Sequence, residues 1–438
     1  MQVLVYAKSF SPRVDYIFST LLKAVGIADI NFTTDITFFQ NTSKAKINYS
    51  AHVVSGKEVW IQPVNLLFES DIKEQQFIVF DYHSSKAFFT TSAGDLPFDI
   101  FAASFYLISR YEEYLPHKKD MYGRYAHENS VAYKEHFLQK PLVNEWLQIF
   151  ARLLVSKFPS LLLQPASFTF LPTYDIDIAF SYLHKGPVRN FGGFLNAMWL
   201  SEWPLVKERM NVLFGKQQDP FDCYEWLHLL HKKYSLLPVY FFLVSQKNKA
   251  FDKNILPTKR AMKKLVKQTS ENYNIGIHPS WQSGDQTKLL HQELKKLEKM
   301  VGIPVTKSRQ HYIRMSMPET YRSLIDCGVK EDYSMGYGSI NGFRASYCLP
   351  YRWYDLQKNQ ATELTIYPFC FMDANSYYEQ HYTCDEALEE MIYYFKIIQS
   401  VNGTFVTIWH NHFLGSDKMF AGWKEVYETM IRMIERKL

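Results

Sequence analysis

FTFLPTYDID, residues 168–177, decides how the chain is read. It is an apolar, β-rich run that ends in two carboxylates, Asp175 and Asp177. Burying bare carboxylates in such a setting costs several kcal/mol unless something pairs with them. Downstream, helix-like and strand-like runs alternate: DCYEWLHLLHKKY (222–234), the strand PVYFFLV (238–244), TKRAMKKLVKQ (258–268), the strand NYNIGIH (272–278), TKLLHQELKKLEKM (287–300) and, near the end, the strand GTFVTIWH (403–410). That rhythm is βα repetition, which implies an α/β fold with a parallel sheet and helices outside it, as an open sheet or a barrel.

Upstream, VLVYA (3–7) reads as a strand, and Ser11 and Pro12 as the start of a helix carrying Val14, Ile17, Phe18, Leu21, Leu22 and Val25. Residues 46–89 read as several short strands. PFDIFAASFYLISRYEEYL (97–115) reads as one mostly buried helix ending before Pro116, and another spans 143–158. Two prolines in PSLLLQPASFTF (159–170) mark a change of pattern. The expected organisation is a smaller mixed α/β domain of unknown role over 1–165 and a second domain over 166–438.

With 438 residues, 47% of them hydrophobic and 16% aromatic, the chain exceeds one average domain and can bury large cores. A formal net charge of +5 is too mild for so long a chain to imply a nucleic-acid or anionic-membrane partner. The five cysteines are scattered and never spaced C-x-x-C, which argues against a disulfide framework or a cysteine-rich zinc site. MQVLVYAKSFSPR lacks a basic signal-peptide n-region, and the longest apolar runs are strand-length. The expectation is a cytoplasmic protein with no membrane span and no nucleic-acid partner. KRAMKKLVK (259–267) spaces its apolar residues as a solvated amphipathic helix. GYGSING (336–342) misses the dinucleotide spacing, and neither a phosphate-binding P-loop nor a G-x-S-x-G elbow occurs.

Parallel βα folds gather their chemistry where strands end and loops converge. Polar residues stand at four such ends: Asp175 and Asp177, His278 after NYNIGI, Arg309 and His311 in KSRQHY, and His410 after GTFVTIW. Singly, each reads as a cap, a turn residue or a surface charge. Together and in order, carboxylate, imidazole and guanidinium converging in one mouth fit a metal-hydrolase site.

On these residues the chain resembles the polysaccharide deacetylase (NodB-homology) family of metal-dependent deacetylases. TYDID (173–177) is similar to the first motif of that family, IGIHPS (275–280) to the second, SRQHY and the residues after it (308–337) to the third, and TIWHN (407–411) to the last. FDIFAASFYLISRYEEYLP with YGRY (98–116, 122–125) resembles the domain of unknown function that precedes this catalytic domain in a group of bacterial, especially Bacteroidetes, proteins. The resemblance implies a distorted (β/α) barrel over about residues 167–420 and removal of an acetyl group from an N-acetylated sugar or glycan. It assigns Asp175 as catalytic base, Arg309 as the residue that orients it, His410 as acid, and Asp177 and His278 as metal ligands, with a backbone N–H near Tyr312 for the oxyanion.

The second motif of the family carries two histidines four apart, and here Gln282 stands where the second is expected. His311 is the candidate replacement ligand, with Gln282 through its carbonyl or Ser280 through water as alternatives. The cofactor expected is a divalent metal, zinc first, with Co, Ni, Fe or Mn also compatible with nitrogen and oxygen donors. Trp281, Tyr312, Trp409 and His412 are the candidate substrate contacts. Two other functions fit the pattern: a catalytically impaired glycan- or protein-binding module, and an amidase on a small amide. The oligomeric state is open.

Overall fold

The computed structural model describes residues 2–247 and 251–436. Two predominantly parallel sheets organise the chain. In the first, β1 (Gln2–Ala7), β2 (Asp29–Thr33), β3 (Ala45–Tyr49) and β4 (Val59–Ile61) run in the order β2-β1-β3-β4. A short antiparallel hairpin follows, β5 (Phe80–Tyr82) with β6 (Ser85–Ala87). Ser11 caps the helix Pro12–Ala24 by accepting from the Val14 N–H, and Pro12 presets the first turn. The apolar stripe of this helix packs inward, with Phe18 stacked on Phe101 at 3.7 Å between centroids.

The single helix expected over 97–115 is shorter. Asp99 caps it by accepting from the N–H groups of Phe101 and Ala102, and it runs only from Ile100 to Ile108. Arg110 takes a left-handed backbone (φ 56°) and a 3₁₀ turn, Tyr111–Tyr114, follows. The break lets the Arg110 guanidinium meet Glu113 at 2.7 Å and also Glu112 at 2.8 Å, the latter an i,i+2 contact that the two faces of a continuous helix would keep apart.

The second sheet contains β7 (Thr169–Ile176), β8 (Val239–Leu243), β9 (Asn274–His278), β10 (Lys307–Ser308), β11 (Glu331–Asp332), β12 (Tyr351–Asp355), β13 (Gln360–Ile366), β14 (Phe371–Met372) and β15 (Thr404–His410). Its order is β12-β13-β11-β10-β9-β8-β7-β15-β14, parallel except for β12. The sheet curls: Val239 and Phe241 of β8, Tyr333 beside β11, Met372 of β14, and Val406 and Ile408 of β15 form one buried cluster on its inner face. Where a distorted barrel was expected, the ladder among the described residues stays open between β14 and the β11–β13 side. Loop backbone fills that seam: Gly342 N–H donates to Cys370 O, Phe369 N–H to Met335 O, and Met372 N–H to the Asn341 side-chain carbonyl. A side chain thus satisfies an edge N–H that a neighbouring strand would otherwise take.

The four strands of the first sheet lie within 2–61 and the second sheet begins at Thr169, so no described ladder crosses residue 165. Apolar packing does cross it. The core around the helix Pro12–Ala24 continues into Tyr321, Trp353, Tyr354 and Ile366. Buried charge crosses as well, because Arg344 donates to both carboxylate oxygens of Glu113 at 2.8 and 2.6 Å.

Candidate metal-binding active site

Strand register brings the expected residues together. β15 pairs with β7 so that His410 lies opposite Asp175, and β8 pairs with β9 so that Leu243 lies opposite His278. Alternation sends Thr173 and Asp175 of β7 to the inner face, while Tyr174 and Ile176 enter the outer core.

On that inner face the Arg309 guanidinium is fully buried. Its Nη1 donates to Asp175 Oδ1 at 2.9 Å and to Thr173 Oγ1 at 2.7 Å, its Nε donates to Tyr333 O at 3.0 Å, and the group lies 4.5 Å from the Phe241 ring centroid. Asp175 is thereby charge-paired in a water-poor setting, which offsets the cost of burying it.

Three imidazoles surround Asp177, and each is oriented from behind. His278 Nδ1 lies 2.6 Å from Arg309 O, which leaves its Nε2 facing Asp177 Oδ1 at 3.1 Å. His311 Nδ1 lies 3.0 Å from Asp252 Oδ1 and its Nε2 is 3.5 Å from Asp177 Oδ2. His410 Nδ1 lies 2.6 Å from Asp373 Oδ1, and its Nε2 is 3.6 Å from Asp177 Oδ2. An acceptor on Nδ1 fixes the tautomer and leaves Nε2 as the outward donor atom, the arrangement typical of metal-ligating histidines.

Asp177, His278 and His311 each offer a ligand atom within 4.8 Å of the others. Asp177 Oδ1 is buried and makes no well-aligned hydrogen bond, although His278 Nε2 lies 3.1 Å away. An orphaned carboxylate oxygen beside two imidazole nitrogens fits a divalent ion of the zinc type, which normally takes three protein ligands at a catalytic site.

The electrostatics follow the same geometry. Burial pushes Asp177 up, but the neighbouring His311 and His278 outweigh it and hold the carboxyl well below its usual range. Burial pulls His311 down, and Asp177 more than reverses this, raising it to about 9. For His410, Asp373 overcomes burial and lifts the imidazole to about 10. His412 moves the other way, to about 3, because burial and the adjacent His410 both disfavour its charge.

These groups open into a cavity of about 520 Å³, whose wall includes Tyr312, His412, Tyr378 and, from the first part of the chain, Tyr122 and Arg124. Tyr122 stacks on Tyr312 with centroids 5.4 Å apart, and Arg124 Nη1 donates to Tyr312 O at 2.9 Å. Tyr312 has a left-handed backbone (φ 59°, ψ 14°), a strained conformation for a non-glycine residue that the Arg124 contact braces.

Residues 3–159 match a family of unknown function (DUF7033). No curated protein matches the chain. Among solved structures the chain is similar to a candidate polysaccharide deacetylase from Mycobacterium smegmatis, at 12% identity and TM-score 0.40, covering 62% of this chain and 84% of that one. It is also similar to a polysaccharide deacetylase from Bacillus cereus, at 10% identity and TM-score 0.29, covering 61% and 88%. A third likeness is to a GH57 branching enzyme from Thermococcus kodakaraensis, at 9% identity and TM-score 0.35, covering 62% and 68%.

Two of the expected substrate contacts sit elsewhere. Trp409 is fully buried and packs on Tyr427 (4.7 Å) and Trp423, on the outer side of the sheet. It neighbours His410 in a strand, and adjacent strand residues face opposite ways, so it is a core residue. Trp281 backs the cavity wall, its ring stacked on Phe251 at 4.1 Å and its backbone N–H donating to Asp252 Oδ1. Ser280 N–H is engaged by Glu293, and neither Ser280 nor Gln282 lines the cavity.

Sequence reasoning missed Asp252, Asp373, Tyr122 and Arg124. Asp373 was within reach, because FCFMD (369–373) ends an apolar run in a carboxylate just as FTFLPTYDID does. Nothing in the sequence pointed to Asp252, whose position next to His311 depends on how the loop after β8 folds back.

Proposed function

We propose that the protein is a metal-dependent hydrolase that removes an acetyl group from the nitrogen of an acetamido sugar. The observation that carries this reading is the convergence of Nε2 atoms from separate strand ends on Asp177, beside a carboxylate clamped by Arg309. Asp177, His278 and His311 would hold a divalent ion, which when bound supplies Lewis acidity toward an acyl carbonyl and makes water acidic enough to react near neutral pH.

The remaining steps belong to the protein. Asp175, its Oδ1 fixed by Arg309, has Oδ2 facing the histidine side at 3.9 Å from His278 Nε2. That oxygen takes the proton of the attacking water. His410, oriented by Asp373, donates a proton to the departing nitrogen, since an amine leaves far more readily than its anion. Tyr312, Tyr122 and Tyr378 line the cavity with rings on which a sugar face can lie.

The test is metal analysis of the purified protein, paired with acetate release from a panel of N-acetylhexosamine derivatives. The expected result is a stoichiometric transition metal that Asp177→Ala loses, with acetate release abolished in His410→Ala. A protein that binds no transition metal at any concentration overturns the reading.

A further inference from the structure

The helices Pro187–Trp199 and Trp203–Leu213, which follow β7, bury almost nothing: Ala197 in the first and Val212 in the second are the buried residues. Their apolar side chains still fall in stripes. On the first helix Val188, Phe191, Leu195 and Trp199 repeat at helical spacing and share one face, and Val188 and Trp199 are 84% and 87% exposed. On the second helix Trp203, Met210 and Leu213 share a face, continued by Phe214. Helices of 13 and 11 residues are marginal in water without tertiary packing. Nothing described in this chain covers these stripes, and an exposed apolar patch of this density marks an interaction surface.

Charge on the hairpin is placed unevenly. Residues 190–201 carry no charged side chain, and the joining turn holds Trp199, Leu200 and Trp203 with Glu202 as its single acid. The root and the returning helix carry Lys185, Arg189, Lys207, Arg209 and Lys216. Glu208, the other acid, accepts from the Tyr182 hydroxyl at 2.8 Å. Exposed Trp, Phe and Leu on one face, with Lys and Arg beside them, is the composition of a helix that lies in a membrane interface. No helix among the described residues is long and apolar enough to cross a membrane, so such contact is shallow.

We propose that this helical hairpin docks the protein on an anionic lipid bilayer, its aromatic turn entering the headgroup region and the exposed Lys207 and Lys216 meeting lipid phosphates. Self-association is the poorer match, because two-fold contact through the same stripes would bring together the Lys207 side chains of two copies, which stand between Trp203 and Met210 on that face, whereas an anionic surface complements them. The overall charge of +5 gives no hint of this, because the pattern is local.

The hairpin root is tied to the cavity. Asn190 donates to Tyr182 O at 2.9 Å, Arg209 to Asn190 at 3.1 Å, and Arg189 Nη2 to Lys253 O at 2.9 Å, and Lys253 lines the cavity that holds Asp177. The cavity thus borders the hairpin root, about 20 Å, one helix length, from the docking turn. Resting on the hydrolase reading, the geometry also names the substrate class, an acetamido sugar carried on a lipid; the docking itself does not need that reading.

Cosedimentation of the full chain with phosphatidylcholine vesicles, with and without phosphatidylglycerol, tests the proposal. Expected are binding at least about tenfold tighter to the anionic vesicles, weakening with salt, and a loss of at least about tenfold in the Trp199→Ser, Leu200→Ser, Trp203→Ser triple variant. Lys207→Glu with Lys216→Glu, both at exposed positions, should weaken anionic binding without changing the circular dichroism spectrum. No sedimentation with either vesicle, or sedimentation unchanged in both variants, overturns the proposal. So does a wild-type dimer that the triple variant abolishes, because the stripes would then belong to a second copy. Turnover of a soluble acetamido sugar should be equal in wild type and triple variant; its absence from both, with vesicle binding intact, would sink the hydrolase reading and leave the docking standing.

Discussion

His311 Nδ1 lies 3.0 Å from Asp252 Oδ1, and Asp252 is completely buried, held also by the Trp281 N–H. A carboxylate from the segment after β8 thus aims the imidazole that the proposed function takes as the third metal ligand. Asp252→Asn keeps the shape and removes the charge. Metal affinity should fall about 10- to 100-fold, the usual cost of losing an orienting partner. His311→Ala should lose more, and Gln282→Ala should lose nothing. Competition titration with a chromogenic chelator reads all three, and a Gln282→Ala protein that loses metal would return the third ligand to the second motif.

Arg309→Lys keeps a positive charge but cannot donate to Asp175, Thr173 and Tyr333 O in one plane. The buried Asp175 carboxylate then loses its fixed partner. The expected result is destabilisation of about 3–5 kcal/mol in urea titration, together with a kcat drop of at least about a hundredfold as the base loses its orientation. Wild-type kcat in Arg309→Lys would show that Asp175 needs only a nearby charge.

Glu113 gives a stability effect with a defined sign. Burial alone would raise its carboxyl, but Arg344 and Arg110 more than compensate and hold it down to about 2, against an ordinary 4.5. A depressed folded-state value means the unfolded chain binds its proton first as pH falls, so the stabilisation is complete above about 4.5 and is lost on going down toward about 2. Glu113→Gln should cost about 3–5 kcal/mol at neutral pH by leaving two buried guanidinium groups underpaired. It should also flatten the fall in urea midpoint between pH 5 and pH 3. A variant as acid-sensitive as wild type would place the acid-labile element elsewhere.

Tyr122 reaches the cavity from the first part of the chain and stacks on Tyr312. Tyr122→Ala removes wall and leaves the reacting groups in place. KM for an acetamido sugar should rise about tenfold with kcat within about twofold, the pattern of lost uniform binding. Equal losses in kcat and kcat/KM would instead show that the stack sets the Tyr312 backbone for the chemical step.

Much of this was legible one strand at a time. Alternation and strand-end position pick out Asp175, His278, Arg309 and His410 because a parallel sheet exposes its C-terminal ends to one side, a rule of local periodicity. The same periodicity, applied to Trp409 beside His410, would have removed it from the cavity. The helix over 97–115 was read too long because its break serves Arg110 and Glu113, a pairing completed only by Arg344 from more than 200 residues away.

By itself, the sequence determined the parallel α/β architecture, the kinds of side chain at the strand ends and the likeness of their motifs, since all of these depend on neighbours within a few residues along the chain. Only the tertiary structure decided that three histidines face Asp177 through Nε2, that Asp252 and Asp373 stand behind two of them, and that Tyr122 and Arg124 close the wall. Those relations join segments tens to hundreds of residues apart, and their geometry is set by how sheets and loops pack, which no local pattern encodes.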